Sequence, residues 1–136
     1  MAISLSTAVK NAMLDAIETE IGASAKLRIF DGSIPTNTSD PDAGTVLAEL
    51  DLPADYMAAA SGGTKLKQGT WEDSSANATG TAQYFRLYET TLSTCHIQGT
   101  VTVTGGGGDM TVANTSFATG QPFEINTFTL SLSNSS

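Results

Sequence analysis

The chain has 136 residues, 40% of them hydrophobic, and a formal net charge of −8 from 14 acidic and 6 basic side chains. This length and apolar content predict one domain with a core of its own, and the abundance of Thr, Ser and Gly favours strands and turns. Binding to nucleic acid or to an anionic membrane surface is not expected, because both require clustered Lys and Arg.

Cysteine usage and the first residues bear on where the chain is made. Cys95 is the only cysteine, so no intrachain disulfide can form, which fits a reducing cytoplasm. The N-terminal residues lack the basic start and unbroken apolar run of a signal peptide, and no segment has the length of a membrane span. We therefore expect a protein that is made in the cytoplasm and does not enter a membrane.

The first predicted element is an amphipathic helix over residues 5–21. Its apolar residues recur every four positions, at Leu5, Val9, Met13, Ile17 and Ile21. Ser4 or Ser6 can cap the start, and Gly22 suits the left-handed position that ends a helix. The apolar stripe can pack on the chain's own sheet or on a neighbouring subunit, and the periodicity alone does not choose between them.

After Gly22 the hydrophobic period changes to two, which indicates strands with one buried and one solvent-facing side. Strands with this alternation are predicted at 26–31, 46–52 and 97–103. Segment 123–132 changes phase by one residue, which predicts a β-bulge near 126–127. Weaker patterns near 66–71 and 110–112 could add two more strands.

Polar and glycine-rich segments separate these strands. Segment 33–45 is a long loop with two prolines, and the four glycines at 105–108 suit a flexible hairpin tip. The predicted fold is mainly β: a single antiparallel β-sandwich or barrel-like domain with one N-terminal amphipathic helix. In this scheme the helix at 1–22 belongs to the same domain as the strands at 23–133, and 134–136 form a frayed tail.

Residues with catalytic or metal-binding chemistry are few and poorly arranged. His96, the only histidine, adjoins Cys95, and neighbours on a strand point to opposite faces. Residues 40–44 faintly resemble a calcium loop but lack its third and last ligands. A pair of catalytic carboxylates would draw on residues at predicted wet faces or loops, namely Glu49, Asp51, Glu72 and Asp73. We predict no enzymatic activity, no cofactor and no metal site.

The best candidates for an interface lie on strand 83–89. Phe85 and Leu87 can face the core, whereas Tyr84, Arg86 and Tyr88 line the opposite face, with Trp71 possibly nearby. Tyr, Trp and Arg are the residue types that contribute most energy to interfaces. Two interpretations stay open: the face contacts a partner, or it packs under the N-terminal helix as ordinary core.

Several segments together carry a resemblance to a known group of proteins. In chain order they are AKLRIFDGSIPTN, TVLAELDLP, ATGTAQYFRLYE, IQGTVTVTGGGGDM and FEINTFTLSL. They resemble small virion proteins of tailed bacteriophages that are called capsid decoration, cement or head-stabilising proteins. These motifs are strand and turn patterns, and they carry no family site residues.

The resemblance implies a structural, non-enzymatic protein that binds the outer capsid surface and stabilises the assembled head. Its partner would be the major capsid protein, and it would act as a homo-oligomer, with a trimer as one form. It would be made in the cytoplasm of the bacterial host and would end on the outside of the virion. The alternatives are a tail-tube, tail-tip or head–tail connector protein, or a carbohydrate- or host-binding module that stacks sugars on Trp71, Tyr84 and Tyr88.

Overall fold

A computed structural model describes residues 3–132. In this range one helix, α1 (Thr7–Ile21), precedes ten strands. The strands are β1 (Lys26–Phe30), β2 (Val46–Asp51), β3 (Thr64–Leu66), β4 (Glu72–Asp73), β5 (Gly80–Thr81), β6 (Tyr84–Tyr88), β7 (Cys95–Val103), β8 (Met110–Val112), β9 (Ser116–Phe117) and β10 (Phe123–Ser131). The predicted mainly β class with a single N-terminal helix is confirmed. The predicted tail at 134–136 lies outside the described residues.

Eight strands form one sheet, in the order β2-β1-β6-β7-β8-β10-β3, with β4 also paired to β10. Strands β5 and β9 form a second, two-stranded sheet, so the arrangement is sandwich-like. All pairs are antiparallel except β7 and β8, which run parallel. The prediction of a purely antiparallel sheet is therefore wrong at this one pair.

The glycine run at 105–108 explains the parallel pair. Instead of forming a hairpin tip, it returns the chain so that Val101 lies opposite Met110 and both strands run the same way. A Cβ atom on Gly108 would lie 2.8 Å from the Thr102 Oγ1 atom, and the Gly108 amide donates to that oxygen at 3.0 Å. Only a residue without a side chain fits so close to β7, which permits a short return where parallel strands usually need a long crossover.

The strand phases predicted from alternation place the core correctly in β1 and β6. Leu27 and Ile29 of β1 are fully buried, and so are Phe85 and Leu87 of β6, all in one apolar cluster. The predicted bulge is confirmed, since the register of β10 against β8 shifts between Ile125 and Thr127. This shift lets β10 place both Ile125 and Phe128 in the core.

Helix α1 ends at the predicted residue, Ile21, but begins at Thr7 rather than at residue 5. The Ser6 side chain accepts a hydrogen bond from the Val9 amide at 3.2 Å, which caps the first turn. Gly22 follows the last helical residue, and its φ of 87° is costly for any residue with a side chain. These local devices set the length of the helix, whereas the side it turns to the sheet depends on the contacts described below.

Candidate contact surfaces

The four predicted interface residues are all buried inside the chain. The exposed fraction is 0% for Trp71 and Tyr84, 2% for Arg86 and 4% for Tyr88. Trp71 packs in the core, where its indole N–H donates to the carbonyl oxygen of Tyr56 at 3.1 Å. The structure therefore corrects the expectation that these residues form an exposed contact surface or a platform for sugars.

Loop 33–45 is what covers the outer face of β6. The Ala43 amide donates to the Tyr84 hydroxyl at 2.9 Å, and the Tyr88 hydroxyl donates to Asp42. The Gln98 side chain of β7 donates to the Pro35 carbonyl at 2.6 Å. The loop thus lies back on its own sheet, and the alternative that α1 covers this face is also wrong.

Arg86 lies at the centre of the contact between loop and sheet. Its Nη1 atom donates to the Asp40 carbonyl at 2.8 Å and to the Asp42 carboxylate at 2.9 Å. Its Nη2 atom donates to the Asn37 carbonyl at 3.0 Å, and Nη2 and Nε both donate to the Gln98 side chain. A guanidinium group has five N–H donors, and these bonds use all five. Arg86 therefore organises the loop and has no donor left for a partner.

A cleft of about 420 Å³ lies between this loop and the turn after β6. Cys95 lines it, and burial raises the pKa of the Cys95 thiol, which disfavours the thiolate. The His96 side chain contacts Glu89 instead of the thiol: its Nε2 atom lies 3.7 Å from the Glu89 carboxylate. Hydrogen bonds, first from Ser93 and then from Thr91, lower the pKa of Glu89 to about 2. These groups stabilise a turn and give no nucleophile–base pair.

Of the four carboxylates considered for catalysis, Glu49, Asp51 and Asp73 form contacts inside the chain, and Glu72 is exposed on β4. Glu49 accepts from Arg28 at 2.9 Å, and Asp51 pairs with Lys26 on the neighbouring strand. Asp73 accepts from the Glu49 amide at 3.3 Å. Among residues 3–132 no group of three or more His, Cys, Asp or Glu side chains is placed to hold a metal ion.

Helix α1 is held to the sheet by polar side chains. The Asn11 side chain accepts from the Gly63 amide at 2.9 Å, and Asp15 accepts from the Ala60 amide at the same distance. Lys65 of β3 donates to Asp15 at 2.8 Å and forms an ion pair with Glu18 at 3.0 Å. These contacts attach α1 by one polar edge, which determines the direction in which its apolar residues point.

Lys65 is only 2% exposed, so its ammonium group needs partners inside the chain. The carbonyl of Ala58 accepts its third hydrogen bond, at 3.0 Å. Burial alone lowers the pKa of Lys65, but the hydrogen bonds and charges of Asp15 and Glu18 outweigh it and raise the pKa. Lys65 therefore stays charged and joins α1 firmly to β3.

Within this arrangement the predicted apolar stripe of α1 is divided. Ile21 is buried at 5% exposure and Ile17 packs against the core, whereas Val9 is 46% and Met13 48% exposed. Leu14, which lies outside the predicted four-residue repeat, is buried at 1% exposure. The prediction that the whole stripe packs on one surface is wrong, because each step of four residues advances by about 40° around a helix of 3.6 residues per turn, so Val9 and Ile21 lie on different sides. Over residues 8–16 the exposed residues of α1 are all apolar: Ala8, Val9, Ala12, Met13 and Ala16.

We call these five residues the outward face of α1. Beside it, a groove of about 350 Å³ separates the helix from β7, and its apolar walls include Met13, Ile17 and Ile97. Glu20 and His96 line the same groove. Sequence reasoning named Val9 and Met13 as part of a buried stripe, so it found the residues but not their exposure.

No helix within residues 3–132 has the length and apolarity needed to cross a membrane. No protein-family model matches the chain, and neither a curated protein nor a solved structure matches it.

Proposed function

We propose that this protein is a structural, non-enzymatic component of a tailed-bacteriophage virion that binds the outside of the capsid and stabilises the assembled head. The proposal combines the resemblance along the chain with one observation, the uncharged apolar face that α1 turns to solvent. Val9 and Met13 lie one helical turn apart, and about half of each side chain is exposed. Exposed apolar residues that are contiguous mark interaction surfaces, whereas single ones are common on any protein.

Stabilisation without chemistry follows from mass action. A protein that binds the assembled shell, but not its separate subunits, lowers the free energy of the shell in proportion to the logarithm of its own concentration. The partner in this proposal is the major capsid protein, and several copies of this chain, in trimers for example, would act together. The protein would be made in the host cytoplasm and would stay on the virion exterior.

The test is to mix the purified chain with purified expanded shells that lack it. We expect the chain to sediment with the shells in many copies and to raise their melting temperature. The proposal fails if the chain neither sediments with the shells nor changes their melting. Binding in a few copies, or stacked rings seen by negative-stain microscopy, would instead indicate a head–tail connector or tail-tube protein.

A further inference from the structure

We infer that the outward face of α1 and the adjoining groove form the docking surface of this protein, and that the surface which occupies it is apolar and carries Lys or Arg. This inference rests on the proposed function and names the side of the chain that faces the shell.

Helix α1 is held in an orientation that leaves an apolar side in solvent. A surface helix of a globular protein normally buries its apolar stripe and leaves its polar side in water. Helix α1 does pack Leu14, Ile17 and Ile21 against the protein in this way. Its polar residues Asn11, Asp15 and Glu18 also bind the protein, through backbone amides and Lys65. A buried lysine with three acceptors fixes this orientation. The apolar residues on the other side are therefore presented to solvent by specific contacts.

The groove beside the outward face carries a negative charge. Glu20 lines the groove near the C-terminal end of α1, where the helix dipole disfavours a negative charge. Within the described residues it has no cationic partner, in contrast to Glu18, which pairs with Lys65. A Lys or Arg from a partner would relieve this charge at the rim while apolar side chains fill the groove.

The same charges argue against a second copy as the occupant. Four of the six basic side chains lie in ion pairs within the chain: Lys26, Arg28, Lys65 and Arg86. A second copy would therefore bring few free cations and the same acidic rim. Like charges that face each other across an interface are unfavourable. Charge complementarity thus favours a basic surface on a different protein.

The experiment measures sedimentation of the full chain with purified expanded shells. Val9→Asp places a charge in the outward face, and Val103→Asp is its matched control, because the two valines are 46% and 45% exposed. We expect Val9→Asp to weaken binding about tenfold or more, as for loss of one buried apolar contact, and Val103→Asp to bind like the unmodified chain. Thermal melting of both variants checks that each is folded.

A second pair of variants tests the charge. Glu20→Lys should weaken binding, whereas Glu124→Lys, at an exposed site on β10, should not. The basic-partner chemistry is overturned if Glu20→Lys binds as well as the unmodified chain or better.

The remaining outcomes separate this inference from the proposed function. If the unmodified chain binds shells and Val9→Asp binds equally well, the docking surface is wrong and the function stands. If the unmodified chain does not bind shells, both fail. If the unmodified chain is an oligomer in analytical ultracentrifugation and Val9→Asp is a monomer, the face is occupied by a second copy and the inference is overturned.

Discussion

Two buried cations, Arg86 and Lys65, each attach an outer element to the same sheet. The element bound by Arg86 covers a face of the sheet, whereas the element bound by Lys65 exposes an apolar face of its own. Each cation is 2% exposed. Arg86 binds loop 33–45 through carbonyls, a carboxylate and an amide, and the loop then closes the outer face of β6. Lys65 binds α1 through two carboxylates and a carbonyl, and the helix then presents an apolar face to water.

A buried cation can therefore hold an element so that it covers a face of the protein, or so that it leaves a face exposed to solvent. Around Arg86 every N–H donor has an acceptor inside the chain, so Arg86 has no free donor for a partner. Around Lys65 the polar groups are also satisfied, but they lie on one edge of α1 and leave Val9 and Met13 uncovered. The residue types typical of interfaces are thus in the closed region, and the open region consists of alanine, valine and methionine.

Removal of Arg86 should have the largest effect on stability. In Arg86→Met the Asp42 carboxylate and the loop carbonyls lose their donor, and we expect the free energy of unfolding to fall by about 3 kcal/mol. Urea denaturation measures it. The control is Lys26→Met, whose ion pair with Asp51 on the neighbouring strand is largely exposed and should contribute less than about 1 kcal/mol. Equal losses in the two variants would mean that Arg86 does not hold the loop.

Removal of Lys65 should have a smaller and more local effect. Asp15 is 47% exposed in the ion pair, so water can solvate it when Lys65→Met removes the ammonium group. We expect a loss of about 2 kcal/mol, together with faster amide hydrogen exchange in α1 than in β6. If exchange in α1 is unchanged, Lys65 is not what fixes the helix.

The hydroxyl of Tyr88 should contribute less again. It donates to the Asp42 carboxylate, and burial followed by this hydrogen bond raises the pKa of Tyr88. We expect Tyr88→Phe to lower the free energy of unfolding by about 1.5 kcal/mol, as for a hydrogen bond to a charged group.

Tyr56→Phe is the matched control for that substitution. Tyr56 is fully buried, and its hydroxyl has no hydrogen-bond partner within the described residues. Its removal should change stability by less than about 0.5 kcal/mol or should stabilise the chain. A large loss in Tyr56→Phe, measured by the same urea denaturation, would show that the hydroxyl is bonded after all.

The smallest effect concerns pH at the attachment of α1. The hydrogen bond from Lys65, and next the one from the Ala60 amide, lower the pKa of Asp15. A lowered pKa in the folded state means that the stabilisation is complete above the unfolded value of about 3.9 and is lost as pH falls through the folded value. NMR titration should therefore place the Asp15 midpoint below its ordinary value, and Lys65→Met should move it upwards. An unchanged midpoint in that variant would contradict the ion pair.

Local patterns in the sequence predicted most of the regular structure. Alternation placed Leu27, Ile29, Phe85 and Leu87 in the core, and a change of phase located the bulge between Ile125 and Thr127. The sequence missed β4, β5 and β9, which have two residues each, and it interpreted the glycine run as a hairpin tip. Elements this short have too few positions to show a period.

For the candidate contact surfaces, the sequence determined which residues are apolar or charged and which faces of the strands they share. It placed Tyr84, Arg86 and Tyr88 together on one side of β6, and Val9 and Met13 together on one side of α1. Only the tertiary structure decided which side is covered. The acceptors of Arg86 in loop 33–45 lie more than 40 residues away in the chain, as does the partner of Asp15. Periodicity reports which residues share a face, but the burial of that face depends on contacts between distant segments, which no local pattern encodes.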